Sequence, residues 1–158
     1  MAFVIAFDLD GTLIPNQKNV PVERSFSAIA NIFFREQIRQ GTKDLLLKLQ
    51  SSGCDVWIYT TSYRDVYYIR MMFLAMGVKL AGVVNQPIHE QRMEKVFRGR
   101  MRPSKSPSSF GIDLLVDDEP EIKKEALVYG FDALWIDPFD ESWTNKVLVC
   151  VDRMRTRL

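Results

Sequence analysis

Only two cysteines, Cys54 and Cys150, occur among the 158 residues. Their positions lack the paired spacing of a metal site, and two thiols cannot staple a chain of this length, so a disulfide framework is excluded. Both read as free, small hydrophobes of a reducing compartment. Charge of one sign is also lacking: 21 Lys and Arg face 20 Asp and Glu, for a formal net charge of +1. No global field therefore draws nucleic acid or an anionic membrane, and such a partner would have to be met through a local patch. No apolar run is long enough to span a bilayer, and no basic region precedes the first apolar stretch. This argues against a membrane span or a secretory leader, and the expected location is cytoplasmic. Histidine is scarcer still: His89, in Pro87-Ile88-His89-Glu90, is single. With no Ser or Cys partner nearby it reads as a surface or loop residue. Internal repeats and low-complexity tracts are absent. What remains is a chain with 47% hydrophobic residues, enough for one compact domain over 1–158.

Strand character, β-branched and aromatic, falls at 3–7, 55–59, 80–84, 114–116 and 133–136. Helical patterns occupy 42–49, 64–76, 119–129 and 142–155, with Gly53, Gly77 and Gly130 at plausible stops. Alternating strands and helices predict an α/β fold, a three-layer sandwich around a mostly parallel, Rossmann-like sheet. Residues 13–40 are turn-rich at first and read as a short hairpin followed by a helix over 25–39, a small flap or cap insertion. The helix at 64–76 is apolar all round: Val66, Ile69, Phe73 and Met76 form one stripe, while Tyr67, Tyr68, Met71, Met72, Leu74 and Ala75 surround it. The excess is read as covered by residues 13–40 in preference to a second subunit, which makes a monomer the expectation and a homodimer the alternative.

The most informative stretch is Val4-Ile5-Ala6-Phe7-Asp8-Leu9-Asp10-Gly11-Thr12. Alternate residues of an extended segment point the same way, so Asp8 and Asp10 face one site. Crowded carboxylates repel each other unless a cation or a shared proton relieves them, and Gly11 lets the chain turn away.

Asp-Leu-Asp-Gly-Thr after an apolar strand resembles the first signature of the haloacid dehalogenase superfamily, and the rest of the chain offers counterparts of the other three. Asp55-Val56-Trp57-Ile58-Tyr59-Thr60-Thr61-Ser62 ends a strand in a hydroxyl residue, Thr60, with Thr61 as the neighbouring alternative. Lys105 in Arg102-Pro103-Ser104-Lys105-Ser106-Pro107 supplies the lysine, with Lys95 as competitor, and Leu114-Leu115-Val116-Asp117-Asp118 supplies the last acids. The resemblance implies that Asp8 is a nucleophile forming an aspartyl-phosphate and that Asp10 is the general acid and base. Thr60, Lys105 and Gly11 would hold the phosphate. Mg²⁺ would sit on Asp8, Asp10 through its backbone carbonyl, and an acid of the pair Asp117 and Asp118. The adjacent pair leaves open which of the two touches the metal, and both also suit a helix N-terminus. A dehalogenase has no use for the second acid, so Asp10 weighs toward phosphoryl chemistry. The implied activity is a Mg²⁺-dependent phosphohydrolase of a capless or minimally capped kind, acting on phosphate monoesters. The alternatives are a phosphotransferase or a non-catalytic binding or scaffold domain.

Arg64 could reach a second charged group of the substrate, but an exposed first-turn arginine is the preferred reading. Trp57, Trp135 and Trp143 read as core or rim packing. Arg92, Lys95, Arg98, Arg100, Arg102 and Lys105 are opposed only by Glu94. This basic stretch could hold an open-site polyanion such as nucleic acid or a phosphoprotein; a solvated basic loop is the preferred reading.

Overall fold

A computed structural model describes residues 2–156. In chain order the elements begin with β1 (Phe3–Phe7), the short β2 (Val22–Glu23), α1 (Ala30–Phe33), β3 (Ile38–Arg39), α2 (Thr42–Ser51), β4 (Cys54–Tyr59) and α3 (Val66–Ala75). They continue with β5 (Gly82–Val84), α4 (Gln86–Phe97), a 3₁₀ turn at Pro107–Phe110, β6 (Leu114–Asp117), α5 (Ile122–Tyr129), β7 (Ala133–Trp135) and α6 (Trp143–Arg155). Five strands form one sheet in the order β5-β4-β1-β6-β7, and every pairing in it is parallel, with Ile5 opposite both Val56 and Leu114. The chain winds outward from β1 through β4 to β5, then restarts on the other side of β1 with β6 and β7. The reversal lies between β1 and β6, and in wound sheets ligands sit at that crevice, outside the carboxyl ends of the strands.

The pleat sorts side chains onto two faces. Phe3, Ile5, Phe7, Val56, Ile58, Leu114 and Val116 pack with Leu46 of α2, Phe73 of α3 and Val147 of α6. Ala6, Tyr59, Val84 and Leu115 face the other way, onto Ile88 of α4, Phe110 of the 3₁₀ turn and Ile122 of α5. Strand β5 starts later than the pattern at 80–84 suggests. Gly82 carries no side chain because a Cβ there would overlap the Trp57 ring. Trp143 is buried and Trp57 and Trp135 are half-buried, and Cys54 and Cys150 are free thiols.

Two expectations are overturned. Residues 25–39 are not a helix: only Ala30–Phe33 is helical, and the segment ends as β3, paired antiparallel with β2 through Val22 opposite Arg39 and Glu23 opposite Ile38. Tertiary contacts decide this. Ile38 is buried, and the Arg39 guanidinium lies 4.7 Å from the Trp143 ring centroid and donates to the carbonyls of Asp137 and Asp140. Glu23 then caps α2 by accepting from the N–H groups of Gly41 and Lys43 at 2.8 and 3.0 Å, since Gly41 offers no side chain of its own. The second correction concerns only the loop character of the basic stretch: Arg92 and Lys95 lie on α4, Arg98 caps it, and Arg100 and Arg102 lie in the irregular segment after it. Asn85 caps this helix by accepting from the Ile88 N–H at 3.3 Å, and Pro87 sits in its first turn, where a missing N–H is harmless. Its inward positions are His89 and Met93, too few apolar residues to give a periodic signal. The helix starts at the carboxyl end of β5 and runs antiparallel to the strands. Arg98 therefore ends it about 18 Å away, by the 1.5 Å rise per residue.

Side chains of residues 13–40 cover part of the apolar α3: the Phe34 ring packs tilted against Tyr68 with centroids 5.4 Å apart, and Glu36 accepts from the Tyr68 hydroxyl. Tyr67 and Leu74 remain exposed at 70% and 51%.

Candidate active site

At the reversal of the sheet, β1 delivers Asp8 and β6 delivers Asp117, on the face that also carries Ala6, Leu115 and Tyr59. Both carboxylates are buried, and the ammonium of Lys105, also buried, lies 2.6 Å from Asp8 Oδ1 and 2.6 Å from Asp117 Oδ2. Asp118 completes the group. Its Oδ1 accepts from the Thr12 hydroxyl at 2.9 Å, and the same hydroxyl lies 3.5 Å from Asp8 Oδ2. Gly11 makes this approach feasible: φ is +96°, and a Cβ would overlap the Asp118 carboxylate. Thr12, which belongs to the motif but has no role assigned from the sequence, thereby joins the carboxylates.

Asp8, Asp117 and Asp118 each present an oxygen within 4.8 Å of the others. Their formal charge exceeds that of the one ammonium among them. Burial pushes the Asp8 carboxyl up to about 7, an effect that Lys105 opposes and Asp117 reinforces. Burial acts to lower the Lys105 pKa, but Asp8 and Asp117 outweigh it and hold the ammonium above its usual range. Burial also raises Asp118, against the Thr12 hydrogen bond. A cluster of hard oxygen donors with surplus negative charge fits a divalent cation of the Mg²⁺ type.

The Asp10 side chain stands apart from these three acids. Arg64 Nη1 donates to Asp10 Oδ2 at 2.5 Å and to Ser62 Oγ at 3.1 Å, and Arg64 Nε lies 3.9 Å from Glu36 Oε1. The Arg64 side chain is 30% exposed. It precedes α3 and closes against Asp10, so the preferred reading of an exposed first-turn arginine is corrected. A link across 54 residues leaves no local trace in a sequence.

Thr60 is fully buried at the end of β4, its Oγ1 accepting from the Ser62 N–H at 3.0 Å, whereas Thr61 is exposed. Lys95 is exposed on α4, and it is Lys105 that reaches the acids. His89 is corrected as well: it is buried, with Nδ1 2.6 Å from the Tyr59 hydroxyl. The two residues meet only because α4 packs against the end of β4, 30 residues away in the chain. Of the basic stretch, Lys105 alone contacts the acids; Arg98 and Arg100 lie at the far end of α4 and beyond.

No family model and no curated protein matches the chain. Among solved structures it is similar to a predicted HAD-like family hydrolase from Porphyromonas gingivalis, at 13% identity and a TM-score of 0.49, over 95% of this chain and 98% of that one. Fold and site together define a wound α/β domain with a buried carboxylate cluster at its topological switch point. No helix among the described residues is long and apolar enough to cross a membrane.

Proposed function

We propose that the protein is a phosphohydrolase of the haloacid dehalogenase type, dependent on Mg²⁺ and acting on phosphate monoesters. The observation that carries this reading is the bridge of Lys105 between Asp8 and Asp117, with Asp118 beside it and Asp10 two residues further along the same segment. Asp8 attacks phosphorus and the bond to the leaving oxygen breaks, giving an aspartyl-phosphate, while Asp10 hands its proton to that oxygen. Water then attacks the phosphorus of the intermediate, Asp10 takes its proton, and the Asp8 carboxylate is released with inorganic phosphate. Lys105 and Thr60 donate to the phosphoryl oxygens, and Arg64 keeps the Asp10 carboxylate in place. Asp8, Asp117, Asp118 and the Asp10 carbonyl would hold the Mg²⁺, which supplies charge neutralisation for the approach of a carboxylate to an anionic phosphate.

The test is release of product from p-nitrophenyl phosphate with and without Mg²⁺. Turnover that requires the ion and is lost in Asp8→Asn supports the reading. Absence of turnover together with absence of Mg²⁺ and orthovanadate binding favours a binding or scaffold domain. That second reading has one observation of its own: Lys105 already satisfies one oxygen of Asp8 and one of Asp117. A phosphotransferase would show product release stimulated by an added alcohol acceptor.

A further inference from the structure

Lys105 has to be held by a segment without regular structure, since residues 98–106 lie between α4 and the 3₁₀ turn. Its flexible stem cannot fix the ammonium unless the backbone on either side is fixed first. Ser106, the next residue, donates its N–H to the Tyr59 hydroxyl at 2.9 Å. That oxygen therefore accepts from the backbone, and its single proton is left for His89 Nδ1 at 2.6 Å. The remaining ring proton belongs on Nε2, and the Pro103 backbone, two residues before Lys105, is near enough to favour the protonated ring. Tyr59, His89, Lys105 and Ser106 are all buried. The buried polar pair is thus anchored on the backbone N–H next to the lysine.

We infer that Tyr59 and His89 form a positioning pair for Lys105, fixing its loop at Ser106 and so placing the ammonium between Asp8 and Asp117. The phosphohydrolase reading bears on this only in what Lys105 then does for a phosphate. Tyr59 sits immediately before Thr60 on β4, so one strand end sets both the hydroxyl donor and the lysine loop. His89 brings α4 into the same arrangement.

The experiment is trace acetylation of each lysine by acetic anhydride in the intact, metal-free protein, read by peptide mass spectrometry, and it requires no turnover. In the wild type Lys105 is expected to react at least about tenfold more slowly than the exposed Lys95, because burial and two carboxylates withhold its free amine. Tyr59→Phe and His89→Leu should raise Lys105 labelling at least about tenfold while Lys95 stays constant. His89→Gln, whose amide can both accept and donate, should restore most of the protection. Val147→Ala, in the core on the opposite face of the sheet, serves as the control for a general loss of stability, followed by thermal melting. Unchanged Lys105 labelling in Tyr59→Phe and His89→Leu overturns the inference. So does an equal rise in Val147→Ala. If His89→Leu fails to fold, Tyr59→Phe, which removes one hydroxyl, decides alone. A protein without phosphatase activity would refute the proposed function and leave this result standing.

Discussion

On one face of the sheet, Leu46, Leu49, Ile69, Phe73, Val147 and Val151 close over Ile5, Ile58 and Val116 in a continuous apolar layer. On the other, a smaller cluster around Ala6, Leu115 and Ile122 adjoins buried Asp8, Asp117, Lys105 and His89. Among the described residues Arg39 is the buried charge that stands outside this division, and it ties β3 to Trp143. Burying ions costs several kcal/mol per charge unless their partners are well placed, and a domain has only about 5–15 kcal/mol of net stability to lose. The larger apolar face can offset that cost. One face secures the fold, and the other places strained charges at the carboxyl ends of β1 and β6.

Removing the group proposed to attack phosphorus should have the largest effect. Asp8→Asn keeps the shape but provides a poor nucleophile, and turnover of a phosphate ester is expected to fall at least about 10³-fold with the fold intact by circular dichroism. Wild-type turnover in that variant would remove covalent chemistry from the charged face. Next comes Lys105→Met, which leaves Asp8 and Asp117 facing each other without a counter-ion. The expected loss is about 3–5 kcal/mol in urea denaturation without divalent ions, partly recovered on adding Mg²⁺ by mass action. An unchanged midpoint would mean that the ion pairs hold nothing together.

The apolar face should respond in the opposite way. Leu46→Ala is expected to cost about 2–5 kcal/mol with kcat of the folded protein unchanged. A fall in kcat matching that of an active-site variant would erase the contrast between the faces. Arg64→Ala lies at the border, because its pair with Asp10 is partly exposed. Stability should fall by less than about 1 kcal/mol, while kcat drops about tenfold as Asp10 loses its orientation. Equal kcat in the two proteins would leave Arg64 as a surface contact.

How much of this was legible in the sequence follows from how local each cause is. The ends of β1 and β6 were readable because an apolar run meeting Asp8, Asp10 and Gly11, or Asp117 and Asp118, is a local pattern with a chemical cost. Lys105 was readable only through the family resemblance, which asks for a lysine before the last acidic strand and left Lys95 as a competitor. The course of residues 13–40 was not, because β2 and β3 are two residues each and pair across the chain. Their register depends on Arg39 meeting Trp143 and on Glu23 meeting α2, none of which is sequential. Helix α4 left no apolar stripe, although Asn85 and Pro87 were the available start signals. Without α4 nothing local pairs His89 with Tyr59 or separates Arg92 and Lys95 from the loop that carries Lys105.

The smallest expected effect tests whether His89 belongs to the charged face as a neutral group. Burial, reinforced by Lys105 and opposed by Glu90 and the Pro103 carbonyl, lowers its pKa below the ordinary imidazole value. The unfolded chain takes up the proton near about 6.5, so folding favours the neutral ring. The stabilisation is therefore complete above that pH and is lost progressively as pH falls through it toward the lower value of the folded state. Gln does not titrate, so the stability difference between wild type and His89→Gln should shrink as urea denaturation is repeated from about pH 7.5 down to about 5.5. Asp8 and the other acids are present in both proteins, and their own pH dependence largely cancels in the difference. A difference that stays constant over this range would mean that the imidazole gains its proton equally in the folded and unfolded chain. The hydrogen bond from Tyr59 to a neutral Nδ1 would then not be what holds the loop.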